Sequence, residues 1–151
     1  MQPIDNIGFL LQKLAFCLGR QSDQVLQEQL GIGLSQFKIL MISQWKPNVQ
    51  QKLIADGLGQ TEASVSRQVK LLQNDGLLNV TVSPQNRREH ITHLTPKGAR
   101  ITDKALEVLN NYHAPMFARL SDKQKSQLME SLSIMYDFAS EGEKLRHNIF
   151  K

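Results

Sequence analysis

TEASVSRQVKLLQNDGLLNVTVSPQNRREHITHLTPKG, residues 61–98, changes its hydrophobic period partway along. In the first part Val65, Val69 and Leu72 recur at helical spacing, and Thr61 stands where an N-cap would accept a backbone N–H. Gly76 ends that helix. The period then becomes two: Leu78, Val80 and Val82 alternate with Asn79, Thr81 and Ser83, the pattern of a half-buried strand. Pro84-Gln85-Asn86 is a turn, and residues 90–94 alternate less cleanly as a second strand. The stretch is thus a helix followed by a β-hairpin with Arg87 and Arg88 at its tip. Thr95-Pro96, a cap with proline at the first helical position, opens the next helix.

Upstream, Ser35 reads as the cap of a helix carrying Phe37, Leu40, Met41 and Trp45, which Pro47-Asn48 ends. A short helix follows from about Gln50 to Leu58, and Gly59 stops it at the C′ position. Residues 5–30 form one long helix capped by Asp5, with Ile7, Leu11, Leu14, Leu18 and Val25 on its stripe and Leu10, Phe16 and Cys17 widening it. Downstream, Ile101, Ala105, Val108, Tyr112 and Met116 mark a fifth helix that Pro115 should kink or end. Ser121-Asp122 caps a sixth, whose seam is Leu128, Leu132, Met135 and Ala139. Gly142 weakens that helix.

Four helices, a hairpin and two helices give a mainly α chain with a small β-hairpin wing (α+β), in which two short helices joined by a tight turn precede a basic hairpin. That is a winged helix-turn-helix with long N- and C-terminal dimerisation helices. Residues 1–151 form a single domain, with a DNA-binding lobe at 34–100 and a dimerisation lobe from 1–33 and 101–151. The terminal helices have more apolar surface than a small reading head can cover. A two-fold dimer would bury it and set two heads about 34 Å apart, one turn of DNA.

The chain's net charge of +4 is concentrated. Residues 60–100 hold six basic and three acidic residues, so three of the four excess charges lie there. On the helix from Thr61, the outward residues are Glu62, Ser64, Ser66, Arg67, Gln68 and Lys70. Ser and Gln can bond base edges, and Arg and Lys can take guanine or phosphate. The helix N-terminus at Thr61 offers free N–H groups to a phosphate. An arginine at the wing tip, Arg87 or Arg88, can enter a narrow minor groove. No Phe, Trp or Tyr lies between Trp45 and Tyr112, so the basic region has no base-stacking platform, which favours duplex DNA over single strands or RNA. The DNA-binding set is Thr61, Ser64, Ser66, Arg67, Gln68, Lys70, Arg87 and Arg88.

These residues are familiar as a set. Leu34-Ser35-Gln36-Phe37-Lys38-Ile39-Leu40 resembles the second-helix signature of the MarR (multiple antibiotic resistance regulator) family. Ala63-Ser64-Val65-Ser66-Arg67, with Leu71-Leu72 and Asp75-Gly76-Leu77-Leu78, resembles its recognition helix and exit. Pro84-Gln85-Asn86-Arg87-Arg88, with Leu94-Thr95-Pro96-Lys97-Gly98, is similar to its wing and fifth-helix entry. The resemblance implies a homodimer interlocked through its first, fifth and sixth helices. It implies a pseudo-palindromic operator, repression, and an effector that can loosen DNA binding. By position it puts Ser64, Arg67 and Gln68 in the major groove and Arg88 in the minor groove. The family wing usually has an acidic residue where this chain has Asn86, which can close an Asx turn but cannot form a salt bridge.

Other features read more plainly. Phe16, Phe37, Met41, Trp45 and Tyr112 are candidates for a pocket taking a small apolar or aromatic effector, against the commoner reading of aromatics at helical spacing as core. Cys17, the single cysteine, excludes an internal disulfide and reads as a small hydrophobe. His90 and His93 point to opposite faces of a strand, and no metal site or cofactor is expected. There is no GxSxG elbow, phosphate-cradling glycine loop or HExxH, so no enzyme is expected. No apolar run approaches membrane-spanning length, and Met1–Asp5 lacks a basic n-region, so the expectation is a cytoplasmic protein. The rival reading is a winged-helix protein-interaction module without specific DNA binding.

Overall fold

A computed structural model describes residues 6–141. The elements are α1 (Ile7–Leu30), α2 (Leu34–Trp45), β1 (Val49–Gln50), α3 (Gln51–Leu58), α4 (Glu62–Asn74), β2 (Leu78–Val82), β3 (His90–Leu94), α5 (Pro96–Phe117) and α6 (Asp122–Glu141). The expected mainly helical winged helix-turn-helix is present.

Two helix starts differ from expectation. Asn6, not Asp5, caps α1, its Oδ1 accepting from Phe9 N–H at 3.0 Å; Asp5 itself lies outside the described residues. Asn and Asp cap equally well, so composition alone does not choose between neighbours. Likewise α2 begins before Ser35. Gly33 is its N-cap residue and donates its own N–H to Gln36 Oε1 at 2.9 Å, while Leu34 N–H is taken by Asp23 Oδ1 of α1 at 2.8 Å. An acceptor supplied by a packed neighbour replaces the local cap. Ser35 lies inside the first turn, where its hydroxyl accepts from Gln60 Nε2 at 3.1 Å.

The core lies where α2, α3 and α4 meet the sheet. Leu26, Ile39, Leu40, Ile42, Ile54, Val65, Val69, Leu72 and Leu78 are all buried there. The sheet has three strands in the order β1-β3-β2, both pairs antiparallel, with Leu78 opposite Leu94 and Val82 opposite His90. β1 was not expected. Its two residues pair with Ile91 and Thr92, too short a run to show any period. The inward alternation on β2 also fails at its end: Val82 is 50% exposed, because the hairpin runs out past the core. On β3 the fully buried residue is Thr92, whose hydroxyl donates to Val49 O at 3.1 Å. That bond offsets the penalty of a buried polar group.

Thr95 caps α5 by accepting from Gly98 N–H at 2.9 Å, with Pro96 at the first position. Pro115 falls in the last turn, and the helix ends two residues later. Ser121 and Gln124 cap α6 reciprocally, backbone to side chain, at 2.9 and 3.2 Å. No side chain from Asp122 to Ser140 is buried, although α6 carries Leu128, Met129, Leu132, Ile134, Met135 and Phe138. Among the described residues no helix is long and apolar enough to cross a membrane.

Candidate nucleic-acid interface

α3 and α4 are joined by a turn at Gly59, whose φ of 62° is the left-handed conformation that favours glycine. Thr61 caps α4, its hydroxyl accepting from Ser64 N–H at 3.1 Å. Thr61 is exposed, but that oxygen is already engaged in the cap. The first-turn amides beyond it point outward with no intrahelical acceptor, although Glu62 places a carboxylate beside them.

α4 anchors itself through Val65, Val69 and Leu72. Its exposed crest is Ala63, Ser66, Arg67 and Lys70, with Ser64 and Gln68 half-buried on the flank. A helix held this way can present one polar face to the major groove, with small side chains allowing close approach.

The wing is built on tight polar geometry. Asn86 Oδ1 accepts from Arg88 N–H at 3.1 Å, so Asn86 closes the Asx turn. Asn86 O accepts from Glu89 N–H at 2.9 Å, and Glu89 O accepts from Ser83 N–H at 2.9 Å. Arg87 and Arg88 are exposed, and neither has an ion-pair partner among the described residues. At the base of the hairpin, His93 lies between Thr81 Oγ1 at 2.7 Å and Asn48 Oδ1 at 2.8 Å, joining β2, β3 and the turn before β1.

Between the α4 N-terminus and the wing is a cleft of about 460 Å³. Ser66 and Arg88, expected on separate elements, line it together. So do Gln50, Lys52 and Glu89, which sequence reasoning did not select. Gln50 and Glu89 are 39 positions apart and meet only because β1 pairs with β3.

The five effector-pocket candidates are spread out. Phe37 is buried in the core, Met41 packs against that core, and Phe16 and Trp45 are 70% and 57% exposed. Tyr112 lines a cavity of about 440 Å³ with Gln29, Lys104, Glu107, Val108 and Asn111, and none of the other four takes part in it. Phe37 is thus core, as packed aromatics usually are. Cys17 is half-buried, and His113 Nε2 lies 3.0 Å from Ser22 Oγ. Among the described residues no three His, Cys, Asp or Glu side chains gather as a metal site would require.

Comparisons with known proteins agree with this geometry. Residues 32–90, which span α2 to the wing, match the sequence model of the MarR family. A putative transcriptional regulatory protein for the hcr operon of Thauera aromatica is 24% identical over 136 residues, covering 90% of this chain and 82% of that protein. CouR from Rhodococcus jostii RHA1, solved bound to p-coumaroyl-CoA, superposes with a TM-score of 0.75 at 23% identity, over 89% of this chain and 94% of that one. The transcriptional repressor CouR bound to a 23-mer DNA duplex gives 0.76 at 22% identity, over 87% and 93%. Residues 32–90 therefore match the MarR family, within a chain whose overall fold is that of solved MarR-family proteins.

Proposed function

We propose that this protein is a homodimeric repressor that binds a pseudo-palindromic operator in duplex DNA, inserting one α4 per half-site into the major groove. The observation that carries the reading is that Ser66 of α4 and the unpaired Arg88 of the wing tip line one cleft, with Arg67 and Lys70 exposed on the same helix. Ser64, Arg67 and Gln68 would face base edges or phosphate, Arg87 the backbone and Arg88 the minor groove. The repressor CouR was solved on a DNA duplex, which supports the same use of this fold. Acting on chromosomal DNA, the protein works in the cytoplasm. A small apolar or aromatic effector would relieve binding. CouR, bound to p-coumaroyl-CoA, is a relative that takes a ligand with an aromatic group.

The deciding experiment is an anisotropy titration against the DNA upstream of the protein's own gene and against a scrambled duplex, over a salt series. Tight, steeply salt-dependent binding to the first alone is expected. Equal weak binding to both would leave a winged-helix interaction module. Within that assay Gln68→Ala should lower affinity for the upstream duplex by roughly 1–3 kcal/mol and leave scrambled DNA nearly unaffected. Equal loss on both duplexes would remove Gln68 from base reading.

The dimer rests on area. No side chain of α6 from residue 122 to 140 is fully buried within its own protomer, and exposed apolar groups occur also at Leu10, Leu14 and Phe16 of α1 and Leu106 and Phe117 of α5. Apolar surface of this extent on helices is what an obligate partner covers. Leu132→Arg, at a position 37% exposed in the protomer, should shift sedimentation from dimer to monomer. A variant that still sediments as a dimer would place the interface elsewhere.

A further inference from the structure

Glu89 is a carboxylate next in sequence to Arg87 and Arg88, the two wing residues that the reading above sets against DNA. Through space alone it would weaken DNA binding. It forms no ion pair with either arginine among the described residues. Both its oxygens are held by amides instead: Oε1 accepts from Asn86 Nδ2 at 3.1 Å and Oε2 from Gln50 Nε2 at 3.0 Å. Asn86 Oδ1 meanwhile accepts from Arg88 N–H, which fixes the orientation of the Asn86 amide and aims its NH₂ at Glu89. Gln50 belongs to β1 and is the N-cap residue of α3. A continuous chain of hydrogen bonds therefore runs from the start of the helix-turn-helix, through Glu89 and Asn86, to the backbone of Arg88.

We propose that Glu89 is a positioning residue for the DNA-reading wing, tying the Arg88 turn to α3 while leaving both guanidinium groups unpaired. The proposal rests on the DNA-binding reading above. It also gives Asn86 a part: its Nδ2 is the donor that Glu89 Oε1 needs, and its Oδ1 the acceptor for Arg88 N–H. Two NH₂ donors converge on residue 89, so a carboxylate, with acceptors at both oxygens, satisfies both. A second carboxylate at residue 86 would face the first.

The two accounts of Glu89 predict opposite signs. If it acts only through its charge, Glu89→Ala should tighten DNA binding. As a positioning residue, Glu89→Ala should weaken binding about tenfold, the equivalent of two modest hydrogen bonds. The probe is a duplex that the unaltered protein selects from a random-sequence pool. Asn86→Asp should cause a similar loss by setting carboxylate against carboxylate. N86D/E89Q has the original net charge and restores a donor facing an acceptor, so it should recover binding to within about twofold. Amide hydrogen exchange, measured without DNA, should quicken across residues 84–90 in Glu89→Ala and return to normal in N86D/E89Q. Unchanged exchange in Glu89→Ala, or binding as tight as the original, overturns the proposal. If the unaltered protein selects no sequence, the DNA-binding reading falls, and the exchange result still decides whether the link exists.

Discussion

Replacing Gly98 by alanine is expected to destabilise the protein by about 3 kcal/mol or more, at the upper end of what overpacking costs. Gly98 sits in the first turn of α5, where the helix crosses the joint between α4 and β2. A Cβ there would collide with the carbonyl oxygen of Leu77 and meet Leu94 Cδ1 at 2.8 Å. The leucine side chain can turn aside; the carbonyl cannot. Leu77 O accepts from both Thr95 N–H and Thr95 Oγ1 at 3.2 Å, and Leu77 N–H is held by Leu72 O at 2.8 Å. To make room, α5 would have to lift, and the Thr95 cap and the Lys97 Nζ bond to Asp75 O at 2.7 Å would be lost with it. A loss of this size should lower Tm by about 6–12 °C for a chain of this length, with the urea midpoint shifted and the slope unchanged.

Gly76→Ala provides the comparison. Gly76 has φ 71° and nothing within 4 Å of a Cβ, so it should cost only the left-handed strain, about 1 kcal/mol. Equal effects at the two glycines would mean that α5 does not approach Leu77 so closely. The distinction matters for function because this joint connects the reading head to α5, and α5 leads to the apolar surface assigned to the dimer. In the dimer proposed above, a head that tilts here would no longer present α4 at the spacing of the next major groove.

The difference between these two glycines also separates what the sequence reveals from what it does not. Thr61, Gly59 and Thr95-Pro96 were legible because each acts on its own few residues, and the structure places all three as expected. The α2 start was not, since its acceptor is Asp23 on another helix. β1 was not, because two residues paired with Ile91 and Thr92 have no periodicity to detect. Val82 followed the strand pattern but lies past the end of the core. At the site, the polar face of α4 and the basic tip could be read from spacing alone. The Gln50–Glu89 contact could not, because both residues look like ordinary surface until the strands pair. Gly98 has no sequence signal either: at the third position of a helix glycine is merely a poor helix former, and only the approach of Leu77 gives it a role.

Arg67→Ala combined with Arg88→Ala should have the largest effect on DNA binding. The two arginines lie on different elements, Arg67 exposed on the crest of α4 and Arg88 on the wing, where it lines the cleft. Neither is used structurally: no ion pair or side-chain hydrogen bond holds either guanidinium among the described residues, so their removal should leave the melting temperature nearly unchanged. If each neutralises one phosphate and the protein binds as the proposed dimer, the double variant removes two contacts per head and about four in all. The slope of log K against log salt should then flatten by about 3.6 units, at roughly 0.9 per contact on B-DNA. Near physiological salt this should reduce affinity by about a thousandfold if each contact contributes about 1 kcal/mol. A flattened slope with equal proportional loss on selected and scrambled duplexes would assign both arginines to the backbone. A greater loss on the selected duplex would mean that Arg67 reads a guanine edge or Arg88 a narrow minor groove. An unchanged slope would mean that the DNA lies on some other face, and it would count against the cleft between α4 and the wing as the place where this protein meets its operator.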